Sequence, residues 1–399
     1  MTSSAYVFIH GLEKSPIICG KFQYAGKTKG EFRYGKSYLA RPDAFALDPI
    51  NLPLTEQVFT TTANQNIFGV LTDAGPDSWG KKLILSLHTT KPQNDLEYLV
   101  AGAGMGVGAL MFSLSQSSSK PKENKNTLGD LDNLLDLKDK ILNNQAINDE
   151  AKTAFEYGSS MGGARPKTLI IDNQTAYLAK FNRSDDLFNT ARAEHAAMSL
   201  LRQLGATVAP TKVINSPNGD VLLIERFDIK SHQPSHHFIS ANALFNRASV
   251  SPLSASAHYS YGRLAEIIMK HCHNPHDAHQ LYLRMVFNVF IGNTDDHARN
   301  HALIYSFADK HWLLSPAYDV LPISNNRQHG IAIGEYQRDG TIENLLSQSK
   351  RFGLKQFKAQ KIINQVRDAC EQWPQYFSQN DVSNIDIERL KGVIPAIKN

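Results

Sequence analysis

The stretch Gly292-Asn293-Thr294-Asp295-Asp296-His297-Ala298-Arg299-Asn300 decides how this chain is read. Asp295 and Asn300 stand in a D-x-x-x-x-N step. An Asp there can face an incoming hydroxyl, while an Asn one short loop later turns back to hold a metal against phosphates. Asp296 adjoins Asp295 and is its rival for the role of base, but only Asp295 gives the five-residue step to Asn300. His297 and His301 have the i, i+4 spacing of a zinc helix, yet HxxxH lacks the adjacent Glu of a metalloprotease.

Working outward, the other parts of a phosphoryl-transfer site follow in order. Lys180 sits in the apolar strand Tyr177-Leu178-Ala179-Lys180-Phe181, where a lysine needs a partner anion because burying a bare charge is costly. Glu194, fourteen residues on in the next helix, is a plausible partner. Leu222-Leu223-Ile224-Glu225-Arg226-Phe227-Asp228 is an apolar strand ending in charge, suited to a hinge between lobes. Nineteen residues after Asn300 comes Asp319, in Pro316-Ala317-Tyr318-Asp319-Val320. Strand Lys, helix Glu, hinge, Asp/Asn and Asp is the order of protein kinases, with Asp319 in the place of the DFG aspartate but flanked by Tyr and Val. The plainer readings are a snorkelling Lys180, a solvated Glu194 and an Asp319 that caps a turn before Pro322. None of them accounts for the order.

Composition removes other classes. In 399 residues, 42% are hydrophobic and 20% charged, which excludes a disordered chain or a coiled coil. The net charge of +4 is too weak to imply nucleic-acid binding by itself. No apolar run approaches the ~20 residues of a membrane span. The N-terminus lacks a basic region followed by an apolar one, so no signal peptide is expected. Cys19, Cys272 and Cys370 are too scattered for a disulfide framework or a CxxC site, which suits free thiols in the cytoplasm.

The chain divides into 1–112, a polar Ser/Lys-rich linker at 113–127, 128–228, and a helix-rich 229–399. In the first part, strands are expected at 6–10 and 21–25. A helix should open at Asp77 or Ser78 and run through Leu87. Glycines 102, 104, 106 and 108 resemble a phosphate cradle, but no Lys-Ser/Thr follows, and a tight turn entering a strand fits better. Beyond the linker we expect an amphipathic helix at 128–143 and paired strands at 167–172 and 175–181. A helix at 190–204 stopped by Gly205, a strand at 221–227 and a buried helix at 281–291 follow. His271, His273, His276 and His279 crowd around Cys272, and His232, His236 and His237 read as a polar loop. Without ligand spacing or carboxylates, both groups are expected to be surface histidines.

Long motifs in chain order resemble one family, the HipA-like serine/threonine kinases, toxins of HipA–HipB toxin–antitoxin pairs. The N-terminal part is similar in 38–47, in Phe68-Gly69-Val70-Leu71 and in Pro76-Asp77-Ser78-Trp79-Gly80. The kinase part is similar in Ser160-Met161-Gly162-Gly163-Ala164-Arg165-Pro166-Lys167, in Ile224–Asp228, in Asn288–His297 and in Pro316–Asp319. The linker and 229–262 carry little of it, and the family's Gln-Glu-Asp element is not recognisable in 236–246.

The resemblance implies an α+β, two-lobed protein-kinase-like fold, with a mixed N-terminal lobe carrying a β-rich subdomain and a mostly helical C-terminal lobe. It implies ATP and Mg²⁺, with Asp295 as catalytic base and Asn300 and Asp319 as metal ligands. Lys180 would grip the phosphates, Glu194 would be its ion-pair partner, and Glu225 and Phe227 would receive the adenine through their backbones. Gly162, Gly163, Ala164, Arg165 and Lys167 would belong to the loop over the phosphates, and His297 would adjoin the nucleotide. Ser160 would match the family's autophosphorylation site, with Ser159 as its neighbour and rival; phosphate there would repel ATP and expel the loop. Implied partners are a HipB-like helix-turn-helix antitoxin, operator DNA through it, and a protein substrate such as an aminoacyl-tRNA synthetase, with no membrane. The competing readings are a catalytically silent co-repressor and a small-molecule kinase.

Overall fold

The computed structural model describes residues 2–102, 104, 106–117, 119, 126–143, 145, 165–245, 258–323, 326 and 328–395. Five short strands build the first sheet: β1 (Ser4–Ile9), β2 (Ile17–Ala25), β3 (Lys29–Tyr34), β4 (Phe59–Thr61) and β5 (Leu110–Ser113), in the antiparallel order β4-β3-β2-β1-β5. Their buried faces alternate with exposed ones, as the period of two requires, and Val7, Ile9, Phe22, Phe32 and Tyr34 point into the core. Between β3 and β5 lie four helices: α1 (Lys36–Leu39), α2 (Gly69–Asp73), α3 (Ser78–Leu87) and α4 (Asp95–Ala101). The glycine run does turn into β5. Gly108 has φ +77°, and a Cβ there would stand 2.8 Å from the Cβ and N of Phe238, so only glycine fits.

A second antiparallel sheet, β6 (Lys167–Asp172), β7 (Thr175–Phe181), β8 (Thr211–Ile214) and β9 (Val221–Glu225), has the order β6-β7-β9-β8. β6 and β7 occupy the expected residues, joined by a two-residue turn in which Asn173 takes φ +53°. One face of this sheet is covered by α3 and by α5 (Leu131–Leu142), with Trp79, Leu83, Leu134 and Ile141 packed against Ile170, Ala179, Phe181 and Leu223. Each such side chain removed from water contributes about 1.5–3 kcal/mol. α6 (Thr190–Gln203) also packs on the sheet. It is capped by Asn189, whose side chain accepts from Arg192 N–H, and its buried Ala191, Ala193, Ala196 and Ala197 permit close approach.

The rest is mostly helical: α7 (Ala241–Phe245), α8 (Tyr261–His271), α9 (Asp277–Ile291), α10 (Ile342–Ser347), α11 (Gln356–Glu371), α12 (Trp373–Gln379) and α13 (Asn384–Lys391). α9 starts four residues before the apolar run that announced it and is buried on nearly all sides, the expected fate of a helix apolar all round. The histidine reading of 232–237 needs correction. Beyond the short hairpin β10 (Ile229–Lys230) and β11 (Gln233–Pro234), His236 opens β12 (His236–Ser240), which pairs with β13 (Ala302–Ser306), itself paired with β14 (His311–Leu314). His237 is fully buried, and its Nε2 donates to Leu47 O at 2.8 Å. Burial holds its imidazole down at about 4, hence neutral.

β12 and α7 fasten the N-terminal part to the helical half. Asp73 accepts from Ser240 N–H at 2.7 Å and from its hydroxyl at 2.8 Å, Asn51 Nδ2 donates to Leu244 O, and Phe45 stacks on Tyr305 with centroids 4.3 Å apart. Among the described residues no helix is long and apolar enough to cross a membrane, and Cys19, Cys272 and Cys370 are all buried free thiols.

Candidate active site

The β6–β7 register sets Lys167 directly opposite Lys180. Two like charges facing each other across a ladder are unfavourable, so carboxylates must offset them. Lys180 Nζ donates to Glu194 Oε1 at 2.7 Å, from α6, and to Asp319 Oδ1 at 2.5 Å, from the loop after β14. The Lys180 side chain is 11% exposed and that of Glu194 4%. Burial would lower the lysine, but the two carboxylates overcome it and hold it above its ordinary range. Burial likewise pushes against ionised Asp319, and Lys180 draws it down to about 2. Lys167 is 2% exposed, and burial lowers it to about 8.

The catalytic-loop candidate begins where α9 ends. Gly292 takes φ +75°, the left-handed conformation that stops a helix without strain. Asp295 and Asp296 then part ways. Asp295 is exposed, with its carboxyl raised by partial burial and by the charges of Asp319 and Asp296. Asp296 is 1% exposed, accepts from the Tyr261 hydroxyl, and has His301 Nε2 2.9 Å from Oδ1, a charge contact rather than an aligned hydrogen bond. Asp296 is thus enclosed by the protein, and Asp295 faces outward. His301 turns to that buried carboxylate, away from any shared zinc site with His297. His297 lies within the electrostatic reach of Asp295 and Asp319, and its Nδ1 is buried with no hydrogen-bond partner among the described residues. Asn300 ends a short 3-10 turn (Ala298–Asn300), with Nδ2 3.5 Å from Asp295 O.

Asp319 takes φ +58°, unusual for a non-glycine residue and worth on the order of 1–3 kcal/mol of strain. Neighbouring bonds hold it there. Ala317 N–H donates to Thr207 O at 2.9 Å, Tyr318 hydroxyl donates to Arg299 O at 2.9 Å, and Asn293 Nδ2 lies 3.4 Å from Asp319 O. Asn293 also donates to Asn288 Oδ1, and Asn288 to the Tyr261 hydroxyl. A buried polar chain therefore joins the Asp319 loop to Asp296.

At the hinge, Glu225 N–H donates to Pro210 O at 2.8 Å. Proline has no N–H to return the bond, so the Glu225 carbonyl lacks its ladder donor on that edge. Among the described residues none accepts from Phe227 N–H. The charges that follow are clamped inward. Arg226 donates to both oxygens of Asp228 at 2.6 and 2.5 Å and to Gly106 O at 3.0 Å, while Gly108 N–H donates to Asp228 at 2.6 Å. Arg165 is engaged in a bidentate pair with Asp186 at 2.8 and 2.7 Å. Ser159, Ser160, Gly162, Gly163 and Ala164 lie outside the described residues.

Sequence reasoning missed Tyr261, Asn288 and Asn293 as supports of the site. The signal was there in Asn288, the single amide in the otherwise apolar 285–291 of α9. It also missed Asp77, which feels the charges of Lys167, Arg299 and Asp319. Chemically, two lysines and unused hinge groups on one side, with oxygen donors and an exposed carboxylate on the other, can bind a polyanion and orient a hydroxyl. Asn300 and Asp319 offer the oxygen donors that Mg²⁺ takes. Among the described residues no three His, Cys, Asp or Glu side chains group to hold a metal.

Comparison with known proteins bears on this geometry. The family model for the HipA-like C-terminal domain matches residues 159–373, and that for the HipA N-terminal domain matches 15–113. A protein of Haemophilus influenzae named "Putative kinase" is 28% identical over 192 residues, 43% of this chain and 55% of that protein, so the match spans about half of the relative's length. Among solved structures, the fold is similar to one from the toxin–antitoxin complex of HipA, HipB and operator DNA of Shewanella oneidensis MR-1. The TM-score is 0.72 at 15% identity, covering 97% of this chain and 95% of that one.

Proposed function

The chain belongs to the HipA family and has its two-lobed, kinase-like fold, and from that premise we propose that it is an ATP-dependent serine/threonine protein kinase acting as the toxin of a toxin–antitoxin pair. The observation that carries the reading is the Lys180 ammonium held between Glu194 and Asp319, beside the exposed Asp295.

In this reading the adenine edge bonds to the Glu225 carbonyl and Phe227 N–H. Lys180 keeps Glu194 and exchanges Asp319 for phosphate oxygens, and Lys167 adds a second cation. Asn300 and Asp319 would hold Mg²⁺, which supplies charge neutralisation across the phosphates. Asp295 orients the substrate hydroxyl. As the new bond from that oxygen to the γ-phosphorus forms, the bond to the ADP oxygen breaks and the proton passes to Asp295. The transition state is loose, so positioning and charge provide most of the rate. Arg165, through Asp186, would brace the loop over the phosphates.

The partners in this reading are a HipB-like helix-turn-helix antitoxin, with operator DNA reached through it. The substrate is a translation component such as an aminoacyl-tRNA synthetase, met in the cytoplasm, and Ser160 is the autophosphorylation site. The test is intact-mass measurement of the purified chain after Mg²⁺-ATP, beside Asp295→Ala. A phosphate gained by wild type alone supports the reading. No gain, with an unmodified starting mass and no ATP binding, overturns it.

A further inference from the structure

Gln280, Arg284 and Asn288 stand four residues apart in α9, so they share one face of a helix whose other residues from 281 to 291 are apolar or aromatic. Each of the three bonds to chain outside the helix. Gln280 accepts from Thr207 N–H at 3.1 Å and donates to Gly205 O at 3.2 Å. Arg284 Nη2 donates to Thr207 O at 3.1 Å. Asn288 accepts from Asn293, whose Nδ2 lies 3.4 Å from Asp319 O. Thr207 belongs to the connection between α6 and β8, and its carbonyl also accepts from Ala317 N–H at 2.9 Å. Ala209 N–H donates to Ala317 O at 3.0 Å, so 207–209 and Ala317 form a parallel bridge two residues before Asp319. One face of α9 therefore holds the Asp319 loop on both sides, through Thr207 before it and through Asn293 beside it.

Arg284 is the costly member of the stripe. It is 3% exposed, and its Nε is buried with no hydrogen-bond partner among the described residues. Burial lowers its guanidinium to about 10, against the opposing pull of Asp277 and Asp296. A charge held this way is a poor source of core stability. Thr207 O has Ala317 N–H as a donor already, so satisfying that carbonyl does not account for the arginine either. We infer that Arg284 is a positioning residue for Asp319: through Thr207, and seconded by Gln280, it fixes the Ala317–Asp319 segment against the helix that leads into Asp295. The metal ligand and the base are then both referred to α9. This rests on the kinase reading above.

The test measures phosphotransfer and calorimetric ATP binding on the full chain, each across a range of Mg²⁺, with a melting curve for every variant. Arg284→Met lowers kcat about tenfold or more, raises the Mg²⁺ needed for half the maximal rate, and leaves KM for ATP at saturating Mg²⁺ near wild type. In the binding experiment, the gain in ATP affinity that Mg²⁺ gives shrinks, while affinity without Mg²⁺ is retained. The melting temperature is unchanged or higher, because an unpaired buried charge has gone. Arg284→Lys returns a donor to Thr207 O and recovers most of the Mg²⁺ response. Gln280→Ala, at a partly exposed position, gives a smaller change in the same direction and decides the matter if Arg284→Met does not fold. A wild-type Mg²⁺ response in the deciding variant, with or without a loss of melting temperature, or a Lys variant no better than Met, overturns the inference alone. Failure of wild type to bind Mg²⁺-ATP overturns the kinase reading and this inference together.

Discussion

Lys180 Nζ lies 2.5 Å from Asp319 Oδ1, joining β7 to the loop after β14. The same ammonium neutralises Glu194, whose side chain is 4% exposed. Lys180→Met therefore leaves a buried carboxylate alone and costs on the order of 3–5 kcal/mol, read as a large drop in melting temperature. Adding Glu194→Gln returns most of that stability but no phosphotransfer. Wild-type stability in the single variant counts against the pairing.

Asp295 and Asp296 are adjacent but differently placed. Asp295→Asn abolishes phosphotransfer and keeps the melting temperature within about 1 °C, since exposed substitutions move stability by roughly 0.5 kcal/mol or less. Asp296→Asn disturbs a buried carboxylate that serves Tyr261 and faces His301, and lowers stability by about 1–3 kcal/mol. Thermal unfolding beside a kinase assay separates the two; equal stability losses contradict the assignment.

Pro210 leaves the Glu225 carbonyl without a ladder donor. Pro210→Ala supplies an N–H that satisfies this carbonyl within the sheet, so it competes with adenine. The expected outcome is a several-fold rise in KM for ATP with kcat unchanged, and no loss of melting temperature. An unchanged KM removes the carbonyl from nucleotide recognition.

Burial raises Asp48 to about 6, against the ordinary 3.8, although Asn51 and the amides of Ile50 and Asn51 bond to it. A carboxyl raised on folding binds its proton more tightly in the folded chain. Its contribution is therefore full below about pH 4 and is lost as pH rises through about 6. Relative to Asp48→Asn, wild type gains on the order of 2–3 kcal/mol as pH falls from 7 to 4, at about 1.4 kcal/mol per unit. Paired unfolding curves at pH 4, 5, 6 and 7 check the sign; a constant difference contradicts it.

Much of the frame was legible because local signals agreed. Strand alternation placed β6 and β7 on the expected residues, and Gly205, at φ +93°, follows the end of α6. The histidines at 236 and 237 were misjudged because polar neighbours hid a strand whose inward residue bonds to Leu47, 190 positions away. The glycine run was readable as a turn, but its clamp by Arg226 and Asp228 was not.

By itself, the sequence determined the succession of Lys180, Glu194, a hinge, Asp295 with Asn300, and Asp319, because periodicity and spacing are properties of neighbouring residues. It also marked α3, α5, β6, β7 and α6, since alternation and caps act within one element. Only the tertiary structure decided that Asp296 is enclosed and Asp295 open, and that Pro210 leaves one carbonyl unused. Burial and electrostatic pairing depend on which distant segments pack together, and no local pattern encodes the dielectric and charge that a side chain finally meets.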